Sequence, residues 1–397
     1  MARLIYLSLM RLPTEKAHGL QIMQNCEAFA HAGDAVQLWV ARRWNTAELR
    51  QVRDPFAHYG VQPVFTVAHI PCLDLMPLLE PLPGGARLAF YLQMFSFAFF
   101  LALRALFTRA DIFYARDELP LLLLSFFKPR RSLAYEAHTF ARPGRGAWLQ
   151  TQVCRRVGSI IAVTPPLAQD LIAQRGAAPG RVLVAHDGFR AARFAEPPAQ
   201  AEARAKLGWP VDAFIVGYMG RLHTMGQDKG VDLLVRAAAA VPGTHLALVG
   251  GPDEMAAALR EEWLGLGQST SQWLYAGQVA ADAVPATLAA LDVCVMPLPF
   301  TEHFAYYASP LKLFEYMAAG RAVVASDLPG WADVVQEGAT ALLIPPGDEA
   351  ALRMALLRLS EDAALRQRLG AAARQRALAH YTWEARAQAI RVHIAAA

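Results

Sequence analysis

The sequence is poor in charge and in cysteine, and each shortage closes off a class of protein. Only 18% of its 397 residues are charged, against 55% hydrophobic. Chains that stay disordered show the opposite balance, so there is enough apolar surface here to offset chain entropy. The net charge of +4 is modest and no basic stripe stands out, which argues against nucleic acid as a partner. Cys26, Cys72, Cys154 and Cys294 are scattered and form no CxxC pair. That spacing speaks against a disulfide framework or a zinc site and for a reducing, cytoplasmic setting. No GxGxxG follows the first apolar run, no Walker sequence occurs, and no Asp-x-Asp sits in a suitable loop. The expectation is therefore no metal and no cofactor. Residues 1–6 run straight into a strand-like segment, unlike the charged and then apolar pattern of a signal peptide.

What is present is alternation. Short β-rich runs at 4–8, 36–40, 112–115, 132–136, 159–163 and 181–185 are separated by helical periods, the first of them at 19–31. A second series lies at 214–219, 245–249, 273–276, 293–296, 322–325 and 341–344, followed by Ala- and Arg-rich helical segments. Strand–helix–strand order implies parallel sheets, whose strands are buried on both faces and read as unbroken apolar runs. At this length two domains are expected. The reading is an α/β chain of two Rossmann-like domains, 1–190 and 191–380, with 381–397 as a helix packing back towards the first. Residues 191–205, rich in Ala, Pro and Glu, look like the linker. Ligands of such sheets bind at the carboxyl ends of the strands, which suggests a cleft where the two sheets face each other.

Residues 88–107 are a mostly apolar run of near membrane-spanning length. Gln93, Arg104 and the need to thread a strand–helix–strand unit through a bilayer oppose spanning. A buried or groove-facing helix is expected first. The alternative is peripheral contact with a membrane surface, with Arg87, Arg104 and Arg109 near headgroups.

Two elements carry chemistry. Gly220-Arg221-Leu222 follows the strand at 214–219, and Lys229-Gly230 opens a helix. A turn, two cations and a helix N-terminus together suit an anion. The second element is Ser309-Pro310-Leu311-Lys312-Leu313-Phe314-Glu315-Tyr316-Met317-Ala318-Ala319-Gly320. Ser309 suits the cap, Pro310 the first helical position and Gly320 the stop. Lys312 in the first turn opposes the helix dipole unless an anion binds there. Glu315, one turn on, has the chemistry to accept two hydrogen bonds from a vicinal diol.

These elements, their order and their spacing resemble glycosyltransferase family 4, retaining enzymes of the GT-B fold. His18-Gly19, Tyr135-Glu136-Ala137-His138, Asp187-Gly188-Phe189 and Gly250-Gly251-Pro252 extend the likeness over nearly the whole chain. The resemblance implies a nucleotide-sugar donor, with Arg221 and Lys229 on its diphosphate beside Gly220 and the backbone of Ser309, Pro310 and Leu311. It puts Glu315 on the ribose, Gln278 and Val279 at the nucleobase, and Lys312 in the donor site. His138 would sit beside the transferred sugar, and Gly19 would let the first helix approach the donor. The catalytic candidates are thus His138, Arg221 and Lys229. The acceptor would be a saccharide or a lipid-linked saccharide, as in bacterial envelope polysaccharide or glycolipid synthesis. Two departures stand out. Tyr307 occupies a place where the family often has glutamate, with Glu302 or His303 as substitutes, and 223–228 is a longer insert than many members have. A sugar-nucleotide epimerase of the same fold and a non-catalytic nucleotide-sugar-binding protein are the rival readings.

Overall fold

The computed structural model describes residues 1–224 and 226–396. The insert 223–228 and the segment 381–397 each contain one residue, Met225 and Ala397, outside that description. The chain divides into two compact units, Met1–Asp187 with Trp383–Ala397, and Gly188–Thr382.

In the first unit seven strands pair in parallel: β1 (Arg3–Ser8), β2 (Ala35–Ala41), β3 (Thr66–Ile70), β4 (Ile112–Ala115), β5 (Leu133–Ala137), β6 (Ser159–Ala162) and β7 (Val182–Val184). Their order is β3-β2-β1-β4-β5-β6-β7. Every residue of β5 and β6 is buried, which is why those runs are apolar without alternation except at Glu136 and Ser159. Strand β3 was not expected from the sequence. It is an edge strand that buries only Ile70, so its apolar pattern is thin. The helix Trp383–Ala396 belongs to this unit: Trp383 Nε1 donates to Gln24 at 2.7 Å, and Arg391 pairs with Asp34 at 2.9 Å.

The second unit contains β8 (Phe214–Met219), β9 (His223–Thr224), β10 (Gln227–Asp228), β11 (Thr244–Val249), β12 (Trp273–Gly277), β13 (Val293–Met296), β14 (Ala322–Ser326) and β15 (Leu342–Ile344). Six of these form a parallel sheet in the order β12-β11-β8-β13-β14-β15. In each large sheet the order reverses beside the unit's first strand, the switch point where open α/β sheets bind ligands. The insert between Arg221 and Lys229 has secondary structure of its own. Its β9 and β10 pair antiparallel as a hairpin.

One expectation is overturned and another holds only in part. Residues 191–205 are not a linker, because Phe194 and Ala203 enter the core of the second unit. There the 3%-exposed Arg204 donates to the carbonyls of Ala290, Val211 and Ala213 and pairs with Asp292 at 2.7 Å. Small, flexible residues in sequence conceal one large side chain that anchors the segment. The apolar run at 88–107, expected to be buried or groove-facing, is buried only in part. It forms the helix Gly85–Leu106, which buries one stripe and leaves Leu88, Phe95, Phe99, Leu103 and Leu106 exposed.

Candidate functional site

A cavity of about 610 Å³ opens at the carboxyl ends of β8, β11 and β12, lined among others by Gly220, Arg221, Gly251, Gln278, Val279 and Lys312. The strand-end loops interlock: Gly220 N donates to Val249 O at 2.8 Å, Leu222 N to Gly251 O at 3.0 Å and Gly250 N to Gly277 O at 2.6 Å. Gly250, at φ +120°, passes so close to the Gly220 carbonyl that a Cβ would overlap it. Gly230, at φ +71°, meets the Pro297 carbonyl in the same way. Only glycine supplies both the left-handed backbone and that approach.

Strands β8 and β13 pair only at Val216–Val293 and Gly217–Cys294, so the sheet parts towards its carboxyl end. The backbone of Met219 would lack a partner on that side. Tyr316 supplies one, its hydroxyl accepting from Met219 N at 2.8 Å and donating to Met219 O at 2.9 Å. Buried backbone groups need such partners, and this one holds the strand end beneath Gly220 and Arg221. Sequence reasoning did not assign Tyr316 a role. Its only signal was a tyrosine in a helix otherwise facing a core.

Three cations gather at this end of the sheet. Burial, followed by the neighbouring charges of Arg221 and Lys312, pushes the Lys229 ammonium down to about 8. Among the described residues neither Arg221 nor Lys229 has a carboxylate partner, whereas Lys312 bonds Glu315 at 2.7 Å. Unpaired like charges around a cavity make an anion site, since an anion removes both the repulsion and the desolvation penalty. Glu315 therefore starts from an ion pair, and a diol binding there must share it with Lys312.

The helix that carries this pair is Leu311–Ala318, and Pro310, not Ser309, holds its cap position. The first turn closes on the Pro310 carbonyl, which accepts from Leu313 N at 3.0 Å, and the Pro310 side chain caps no amide. Gly320, at φ +69°, follows Ala319 and stops the helix. Of the residues named for the missing glutamate, His303 is electrostatically tied to the cluster: burial, then the Lys229 charge, pushes its imidazole down.

The Lys229 value sets a pH dependence. An anion bound beside Lys229 raises its pKa again, so above about pH 8 binding must take up a proton. Affinity for a diphosphate ligand should fall about twofold between pH 7 and 8 and about tenfold by pH 9. Titration calorimetry across that range measures it, and Lys229→Arg, charged throughout, should flatten the curve.

Gly19 and His138 lie in the first unit. The room that a Cβ would need at Gly19 is taken by Thr14 Cγ2 at 2.5 Å and the Tyr59 hydroxyl at 2.6 Å, so packing within the unit already demands glycine there. His138 lines a cavity of about 400 Å³ with His18, Arg43, Arg116 and Glu136. Glu136 is fully enclosed. Burial works against its charge, but Arg386, His138 and Arg116 outweigh it and hold the carboxyl well below its usual range. A carboxylate can only accept, so the His138 Nε2 at 2.5 Å carries the proton and Nδ1 is the ring's acceptor. Burial, then Arg116, keeps that imidazole below its ordinary pKa, hence neutral near pH 7. Glu136, His138 and Asp187 bring their ligand atoms within 4.8 Å of one another, a spacing a metal could use. Yet Glu136 already accepts from Tyr114 and Asn25 and pairs with Arg386 at 3.3 Å, a network that answers its charge without an ion.

Residues 213–362, the heart of the second unit, match the family "Glycosyl transferases group 1". A D-inositol 3-phosphate glycosyltransferase from Salinispora arenicola is 31% identical over 252 residues, 59% of this chain and 54% of that protein. The chain thus spans about half the length of the curated relatives it matches. Among solved structures, a sucrose-phosphate synthase from Thermosynechococcus elongatus superposes with a TM-score of 0.75 at 23% identity, over 100% of both chains. HepE of Anabaena, solved in complex with UDP, gives 0.72 at 18% identity, again over 100% of both. The second unit thus contains a region that matches the glycosyl transferases group 1 family, on a chain with the GT-B fold of these solved structures.

Proposed function

We propose that the chain transfers a glycosyl group from a nucleoside-diphosphate sugar to a saccharide or lipid-linked saccharide, with retention of configuration and without a metal. Arg221 and Lys312 on the strand-end cavity, with Lys229 close enough for both charges to act on it, carry this reading. Breaking the anomeric C–O bond leaves negative charge on the departing β-phosphate. Preorganised cations and the amides at the start of Leu311–Ala318 stabilise that charge, the kind of electrostatics that usually contributes most. Gln278 and Val279 face the base, and Glu315 takes the ribose hydroxyls. A carboxylate nucleophile at the anomeric carbon is not needed when the acceptor oxygen bonds on the same face and the leaving phosphate takes its proton. His138, neutral and oriented by Glu136, then polarises the acceptor hydroxyl, while His303 takes over contacts to the transferred sugar. The acceptor chemistry fits envelope polysaccharide or glycolipid synthesis at the cytoplasmic face of a bacterial membrane.

Because HepE was solved with UDP, UDP-linked sugars head the test panel, followed by GDP- and ADP-linked ones. A ligand at 100 times its Kd adds about 2.7 kcal/mol to stability, readable as a thermal shift. Sugar transfer to an oligosaccharide or lipid-linked acceptor should proceed at the same rate with EDTA present. Loss of activity in EDTA overturns the metal-free mechanism. No thermal shift and no transfer with any donor overturns the whole reading, and epimerised donor formed without an acceptor favours the rival enzyme.

A further inference from the structure

The helix Gly85–Leu106 is long and apolar enough to cross a bilayer, and most of its apolar window is unburied. It does not cross one, because it connects β3 to β4 of the same sheet. Its buried stripe is Ala89, Gln93, Phe97, Leu101 and Ala105. Opposite runs a second apolar stripe, Leu88, Phe95, Phe99, Leu103 and Leu106, with Phe95 58% and Phe99 60% exposed. The steps of three, four and seven residues keep those side chains on one face. An exposed apolar stripe of this kind marks an interaction surface.

Its charges say what covers it. Residues 81–110 contain three arginines, Arg87, Arg104 and Arg109, and no Asp or Glu. Arg104 lies over the Trp39 ring at 4.6 Å, and exposed Arg87 and Arg109 stand at the two ends of the stripe. The face is therefore apolar along its length and cationic at its ends, as a helix lying in the interface of an anionic bilayer requires. A second copy of the chain fits less well. The helix face presents about 300 Å², against about 800 Å² per partner in a standard protein interface.

We infer that the Leu88–Phe95–Phe99–Leu103–Leu106 face of this helix docks the chain onto a membrane surface containing anionic phospholipid, lying in the plane of the headgroups. This does not depend on the sugar-transfer reading, since it concerns another surface and its assay needs no donor.

The full chain is floated with vesicles of phosphatidylcholine alone or of phosphatidylcholine mixed with anionic phosphatidylglycerol. Binding is expected to the anionic vesicles, at least tenfold weaker to neutral ones, and reduced by high salt. Phe95→Ser with Phe99→Ser should lower binding at least tenfold while leaving the thermal melt unchanged, because both rings are already exposed. Arg87→Glu with Arg109→Glu should abolish the preference for anionic lipid. Failure of the parent chain to float, or equal flotation of the serine variant, overturns the inference. So does a dimer by light scattering that the serine variant splits, which would assign the face to a second copy.

Discussion

Replacing Lys229 by alanine should slow sugar transfer about 10²–10³-fold, equivalent to about 2.7–4 kcal/mol of transition-state stabilisation, if it acts like a single oxyanion donor. The same change should leave the melting temperature unaltered or raise it. Lys229 is half-buried beside Arg221 and Lys312 with its ammonium pushed down to about 8, so in the ligand-free protein its charge is a burden. Residues that are unfavourable for folding and favourable for function follow this pattern. Lys229→Arg should recover part of the rate, since a cation returns, but not all of it, because the planar guanidinium is a different donor. Single-turnover rates with a saturating donor, read beside thermal melts, separate the two effects. Unchanged turnover in Lys229→Ala would remove this residue from the mechanism.

The second large effect is on stability, in the other unit. Arg386 is buried, pairs with Glu136 at 3.3 Å, and donates to Asn25 Oδ1 at 3.1 Å and to the His186 carbonyl at 2.9 Å. Arg386→Met leaves a buried carboxylate without its main counter-charge, which costs about 3–5 kcal/mol. For a unit of this size that is roughly 6–20 °C in melting temperature. Adding Glu136→Gln should return part of the loss, because the stranded charge goes too. A double variant no more stable than Arg386→Met would mean that packing, not charge, dominates.

The same network sets the acid limb. Glu136 is depressed, so its contribution is complete above the usual carboxyl value of 4.5 and fades as pH falls through its folded value. His138 is also depressed. Below 6.5 the unfolded chain takes a proton that the folded one resists, so this group costs stability as pH drops past that value. Acid destabilisation of the first unit should therefore begin below pH 6.5.

Much of the fold was legible because its signals are local. Strands such as Ile112–Ala115 and Val293–Met296 announce themselves as apolar runs, since parallel strands buried on both faces tolerate nothing else. Gly220, Arg221, Lys229 and Lys312 stand out because a glycine turn after a strand and a lysine at a helix start are short patterns with a physical reason. The missing parts have non-local reasons. Tyr316 matters only because β8 and β13 part above Gly217, which no stretch of sequence reports. Arg386 acts on Asn25 across a separation of 361 residues. Residues 191–205 looked like a linker because composition averages over the one arginine that anchors them.

The sequence by itself determined the parallel α/β architecture and the residue types that can hold a diphosphate, because periodicity and turn chemistry act between neighbours in the chain. Only the tertiary structure decided which of those residues share a cavity, which carboxylate is buried against Arg386, and which face of Gly85–Leu106 is left uncovered. Those outcomes depend on which side of each helix the sheet covers, and that is set by packing between segments far apart in the chain.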